Sequence, residues 1–313
     1  MFILDANSIP VEFMDANESA FFLRELESVK SKTYDTKYKN LKATMLIPVD
    51  TSGDSGAMEI TVQRFTKVGI AKIISDYASD APRVDIYGKE ESHKVYIVGD
   101  SYGWSKDEVR RSMMAGKSLD QRKANAAKRA SDEKINKIAW LGDAAHNIDG
   151  FLDYPGITDY TIPDGDGGDP EWSTKTSDEI LADLNGIVTA IINSTNGIEI
   201  PDTMLMPINQ YRLLSTKRVS SDSDMTVLQY FLRNNGMITK VEWLTELAGA
   251  GVAGADRFIV YTRDSDHLTL EITLPYSTLP PQIVGYGFII LTETKTAGVI
   301  VYYPQSVAFG DNI

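Results

Sequence analysis

Cysteine is absent from the 313 residues. That excludes disulfides, thiol nucleophiles, zinc–thiolate sites and iron–sulfur clusters, and it suits a chain made in a reducing compartment. Histidine is scarce: His93, His146 and His267 are scattered, and no His-Glu-x-x-His pair occurs. Positive charge is in deficit, 31 Lys and Arg against 44 Asp and Glu, for a net charge of −13. A surface that grips nucleic acid over most of its area is thereby disfavoured. No run approaches the roughly 18 apolar residues of a membrane span. The N-terminal MFILDANSIPVEFMDANES lacks the basic lead and apolar stretch of a secretory signal. The expectation is a soluble, non-secreted chain. Apolar residues at 42% and charged residues at 24% describe a globular protein.

The first 40 residues read as an arm. Phe22, Leu26 and Val29 recur at helical spacing beside Phe21 and Leu23, and Asn17 or Ser19 is the candidate cap. So many large apolar side chains on one short helix need burial elsewhere. Residues 44–49 and 58–63 are β-rich runs on either side of the turn-forming 50–56, which predicts a hairpin. In its second run Ile60 and Val62 alternate with Glu59, Thr61 and Gln63, so one face alone asks for burial. A two-stranded ribbon is marginal in water by itself.

Residues 69–104 predict short strands, notably 93–98. Ser105 and Glu108 form a capping-box pattern that opens a helix. The longest predicted helix runs from Leu119 to Leu141, with a small-residue face and Gly142 as its stop. Residues 106–137 carry ten basic and five acidic side chains, a local +5 that leaves −18 on the rest of the chain. That strip reads either as a solvated face or as a contact for an acidic partner. Residues 163–170 form a Gly- and Asp-rich loop. Beyond it, helices near 177–193 and 225–234 alternate with strands near 203–207, 239–243 and 257–262. The last 50 residues are β-rich.

Several motifs fail for want of context. Gly249, Gly251 and Gly254 match the dinucleotide fingerprint, but a strand-forming run follows where a helix should open. Gly116-Lys117-Ser118 ends like a phosphate loop, yet Arg111 stands where its first glycine belongs. Ser55 and Ser101 sit in hydrolase-like Gly-Asp-Ser contexts without a base tied to either. The acidic loop Asp164–Asp169 lacks the calcium-loop order. No catalytic residue, cofactor or metal site is expected.

The order of elements resembles the major capsid proteins of tailed bacteriophages, the fold of phage Hong Kong ninety-seven that encapsulins share. The closer likeness is to a phage and prophage capsid family formerly counted as a domain of unknown function. It is carried by Phe21–Leu26, Leu46–Ser52, Gly99–Gly103, Leu119–Lys123 with Lys134–Asn136, Pro201–Thr203, Gly249–Asp256, Leu279–Pro281 and Ile300–Pro304.

The resemblance implies an α+β fold: an N-arm at 1–40, an extended hairpin loop at 41–70 and a peripheral domain with its spine helix at 71–145. An axial α/β domain at 146–264 and β-rich returning strands at 265–313 complete it. It implies a shell of hexamers and pentamers around double-stranded DNA in a virion, assembled in the host cytoplasm, with no membrane. Because the chain starts at Met1 without a long scaffold-like lead, a separate scaffolding protein is expected, with a portal. Inter-subunit cross-linking through Lys67 is not expected. The implied subunit contacts are Phe21, Phe22 and Leu26 of the arm. Ser52, Gly53, Asp54, Ser55 and Gly56 serve as the loop tip, with Ile60 and Val62 behind it. Arg122, Lys123, Lys128 and Arg129 lie on the spine helix, and Gly249, Gly251 and Gly254 in a mobile axial loop. The alternatives are an encapsulin-like compartment and a serine hydrolase using Ser55 or Ser101.

Overall fold

The computed structural model describes residues 39–71, 83–114 and 121–313. The chain divides into two compact units, Met1–Asn40 and Leu41–Ile313. The expected arm helix with Phe21, Phe22 and Leu26 lies outside the described residues, as does Gly116-Lys117-Ser118.

The second unit begins with a single-turn helix α1 (Ala43–Leu46) and a two-residue strand β1 (Val49–Asp50). Two ten-residue strands follow, β2 (Glu59–Val68) and β3 (Asp85–Lys94), then β4 (Tyr96–Ser105). Helices α2 (Lys106–Met114) and α3 (Arg122–Leu141) come next. The middle of the chain supplies β5 (Thr158–Thr161), α4 (Ser177–Ser194), β6 (Thr203–Met206), α5 (Ile208–Thr216), α6 (Val227–Asn234), β7 (Lys240–Trp243) and β8 (Arg257–Tyr261). The closing strands are β9 (Leu268–Glu271), β10 (Leu274–Thr278), β11 (Gln282–Val284), β12 (Gly287–Thr296), β13 (Gly298–Val301) and β14 (Val307–Asp311).

The described strands form four sheets. A five-stranded mixed sheet runs β5-β14-β8-β6-β7. Its central strand, Arg257-Phe-Ile-Val-Tyr261, is buried along its whole length, which explains why everything after Arg257 is apolar or aromatic. Phe258 and Val260 join a core with Met204, Met206 and the apolar faces of α4 and α6. Ile259 and Tyr261 face the other way, into a core with Leu205, Trp140 of α3 and the small sheet β1-β9-β13. Strand periodicity thus splits one sheet between two cores.

A second large sheet joins β4 and β12 over ten antiparallel pairs, with β10 and β11 along the other side of β12. Thr292, Thr294 and Thr296 of β12 are buried, and each hydroxyl donates to a backbone carbonyl, of Asp100, Leu274 and Glu271 respectively. Helix α3 packs across β4 and stops at Gly142, whose φ is +68° and where a side chain would press on the Ile148 carbonyl.

The hairpin expected between 44–49 and 58–63 does not form. Residues 43–46 are helical, and Val49–Asp50 pairs in parallel with β9. Strand β2 instead pairs with β3 from Glu59↔Lys94 to Val68↔Asp85. The partner strand escaped the sequence reading because Lys89-Glu-Glu-Ser-His-Lys94 has no apolar alternation, being exposed along most of its length. An extended loop ending at residue 70 therefore holds only one of the ribbon's two strands.

Candidate assembly interface

Among the described residues the β2–β3 ribbon makes its ladder with itself alone. Near its root, one face carries Ile60, Val62 and Arg64, all half-buried against the body. The Arg64 guanidinium donates to the Tyr302 carbonyl at 2.7 Å and pairs with Glu91 of the opposite strand. Burial alone would raise the Glu91 pKa, but the Lys89 ammonium, with help from Arg64, holds it below the ordinary carboxylate value.

Beyond Arg64 the ribbon leaves the body. Phe65 is 64% exposed, Ile86 62%, Val84 68% and Ile70 77%, with Val68 and Tyr87 also open. Single exposed apolar residues are ordinary, but six on one narrow projection are a patch that asks for a partner. Ser52, Gly53, Asp54, Ser55 and Gly56 are not its tip. They lie at its root, where a side chain at Gly53 would collide with Thr273 and the Ser55 carbonyl accepts from Lys295.

Helix α3 carries six of the basic strip's ten side chains, among them Arg122, Lys123, Lys128 and Arg129. Lys123 donates to the Gly103 carbonyl at 2.9 Å and to Glu108 at 3.4 Å, so it clamps the helix to the end of β4. Its neighbour in that clamp, Glu108, also completes the capping box of α2 with Ser105. Arg129 pairs with Glu133 one turn on, and Arg122 is exposed at the start of the helix. Lys128 is exposed beside Asp132, whose pKa burial raises against the pull of Lys128 and Arg129.

The glycine-rich segment 249–254 is a tethered turn between β7 and β8. Gly249 N–H donates to Asp256 at 2.9 Å, and Val252 N–H donates to Asp311 at 3.0 Å. A side chain at Gly251 would meet the Asp311 carboxyl at 2.9 Å. Strand β8 follows it, as the failed fingerprint requires, and the mobile loop expected at Gly249, Gly251 and Gly254 is held at both ends. Among the described residues neither Ser55 nor Ser101 hydrogen-bonds to a histidine, and no group of three His, Asp or Glu residues is arranged to hold a metal. No described helix is long and apolar enough to cross a membrane.

The described residues thus present a ribbon open along its outer half, a long helix laid across a sheet and a five-stranded sheet that shares a core with that helix. The model of the major capsid protein family matches residues 69–313.

The chain belongs to the major capsid protein family.

Its fold is that of tailed-phage capsids. The capsid protein of Myoviridae phage XM1 is 19% identical, aligned over 93% of this chain and 98% of its own, with a TM-score of 0.77. The capsid of a native GTA particle, solved with C5 symmetry, is 11% identical over 95% and 99%, with a TM-score of 0.65. A virus-like particle from Pyrococcus furiosus is 14% identical over 88% and 92%, at 0.51. Among curated proteins none matches. The family is structural, its place is the virion capsid, and its members form the shell. The encapsulin-like and hydrolase alternatives are not favoured.

Proposed function

We propose that this major capsid protein assembles as hexamers and pentamers into the icosahedral head of a tailed phage or prophage, around double-stranded DNA, and performs no chemical turnover. Assembly in the host cytoplasm with a separate scaffolding protein and a portal completes the reading. The observation that carries it is the open apolar set on and just beyond the outer β2–β3 ribbon, Phe65, Val68, Ile70, Val84, Ile86 and Tyr87, all exposed to solvent. Burial on a neighbouring copy gains roughly 25 cal/mol per Å² of apolar area. Heterologous contacts of this kind, repeated around rotation axes, close into rings.

In this reading residues 1–40 are an arm, the ribbon is the extended loop, and the unit with the five-stranded sheet meets its copies around the symmetry axes. Arg122, Lys128 and Arg129 of the basic strip face an acidic neighbour or the genome, while the acidic remainder keeps DNA from adhering during packaging. Negative-stain microscopy and sedimentation of the expressed full chain test the proposal. Megadalton shells holding nuclease-protected DNA are expected. A compact, stable monomer would overturn it, and shells filled with protein instead of DNA would move it to the encapsulin-like reading. Neutralising Arg122, Lys128 and Arg129 together, with Lys123 kept because it holds the helix to β4, is expected to impair assembly or packaging.

A further inference from the structure

Two of the three histidines in the chain line one cleft of about 730 Å³ between the ribbon root and the body. His93 stands on the ribbon wall beside Arg64 and Glu91; His146 and Asp149 stand on the body wall. Among the described residues the ribbon's backbone pairing is internal, and the single residue Val95 separates β3 from β4. Across the cleft, the bond from Arg64 to the Tyr302 carbonyl is a point latch near the outer end of the closed region.

His93 is the group out of place in this closed cleft. Its Nε2 is sealed from solvent and has no hydrogen-bond partner. A neutral ring tolerates that, with Nε2 as the bare acceptor. An imidazolium would carry an N–H there with nothing to receive it, at a cost that water removes once the cleft opens. Charged and titratable groups reach the cleft from all its walls but one. Glu91, Lys89 and Lys94 come from its own strand, Arg64 from β2 and Tyr96 from β4. The segment after α3 brings His146, Asp149 and Tyr154, and the 297–304 wall is apolar where it lines the space. Burial, with Arg64 adding to it, outweighs the attraction of Glu91 and Asp149 and holds the His93 pKa below its ordinary 6.5.

We propose that this cleft is a proton-operated hinge: the ribbon lies closed on the body while His93 is neutral, and protonation of His93 releases it. Linkage fixes the direction. A site that binds its proton more weakly closed than open favours the open state as the pH falls. The device acts within one chain, so it stands independently of the shell reading.

The absence of cysteine allows two to be introduced without interference. Spin labels at Glu90→Cys and Ala145→Cys, both exposed positions flanking the cleft, report its width by pulsed electron resonance. Labelled chain is diluted among unlabelled copies so that only distances within one molecule are read. Between about pH 7.5 and about pH 5.5 the distance is expected to lengthen reversibly, as a histidine transition requires. His93→Gln, and as a second neutral replacement His93→Phe, are expected to keep the short distance at both pH values, with near-ultraviolet circular dichroism reporting that each is folded. A parent chain whose distance does not change would overturn the proposal. So would an equal lengthening in the folded His93 variants, or a transition centred below about pH 5, where carboxylates titrate.

Discussion

Arg257 and Asp311 face each other across the antiparallel pair β8–β14 and form two parallel bonds, Nε to Oδ1 at 2.6 Å and Nη2 to Oδ2 at 2.8 Å. Both side chains are nearly buried. Arg257 also donates to the Leu152 carbonyl, and Asp311 accepts the Val252 N–H. One ion pair therefore joins the sheet, the 150–154 turn and the glycine-rich turn.

Asp311→Asn leaves a buried guanidinium short of its counter-charge, and a loss of about 3 kcal/mol is expected. Burial would raise the Asp311 pKa, but the Arg257 bonds and the Val252 N–H outweigh it, so its folded value lies below the ordinary 3.8. The stability this contributes is present above the ordinary value and is lost as the pH falls through the lower folded one. Denaturation midpoints across pH are expected to show that acid-side loss in the parent and to lack this part of it in the variant.

Lys175 and Asp183 give the opposite sign. They pair at 2.7 Å, both almost fully buried, and Trp172 Nε1–H donates to the same Asp183 oxygen at 3.0 Å. Burial pushes the Asp183 pKa up in spite of these partners. Lys175→Met removes the counter-charge, and a loss of about 3 kcal/mol at neutral pH is expected. A carboxyl with a raised folded pKa favours the fold below that pKa and disfavours it above. The variant is expected to recover stability on acidification from about pH 7 to about pH 5, where Asp311→Asn does not. Urea melts at the two pH values measure it.

Elements with strong local patterns were legible in the sequence. The helix expected at 119–141 is observed at Arg122–Leu141, the one at 177–193 at Ser177–Ser194, and the strand at 257–262 at Arg257–Tyr261. Each has a contiguous apolar face or run that one chain buries by itself. The ribbon was half legible: Ile60 and Val62 announced a one-faced strand, but β3 carries charges because solvent surrounds it. Strand pairing is a long-range property, and no local signal said that Glu59 meets Lys94 rather than a residue near 49. The Arg257–Asp311 pair, 54 residues apart, was invisible for the same reason. The basic strip was legible as charge, yet sequence could not tell that Lys123 is bound to its own chain.

Ala253 has φ +58° in the turn before β8, a left-handed backbone that glycine adopts freely and alanine does not. Ala253→Gly relieves that strain, offset in part by the greater freedom of glycine in the unfolded chain. A net gain of about 0.5–1 kcal/mol is expected, read as a melting temperature higher by roughly 1–3 °C. A lower melting temperature would mean that the alanine methyl makes contacts worth more than the strain.

Val84 and Ile86 separate folding from assembly. Both are open to solvent, so replacing them costs a single chain little. If neighbouring copies cover them, each Ser substitution removes about 1.5 kcal/mol or more from a subunit contact. Every copy in a shell carries the same loss, so the effect multiplies over the assembly. Val84→Ser with Ile86→Ser is expected to leave the melting transition of the unassembled chain within about 1 kcal/mol of the parent. The same variant is expected to raise, by tenfold or more, the protein concentration at which particles appear on sedimentation. Phe65 is a poorer choice for this purpose, because its ring over Gly88 of the opposite strand is a larger contact within the ribbon than Val84 makes over Gly69. A double variant that assembles at the parental concentration would show that Val84 and Ile86 contribute nothing to the contact between copies.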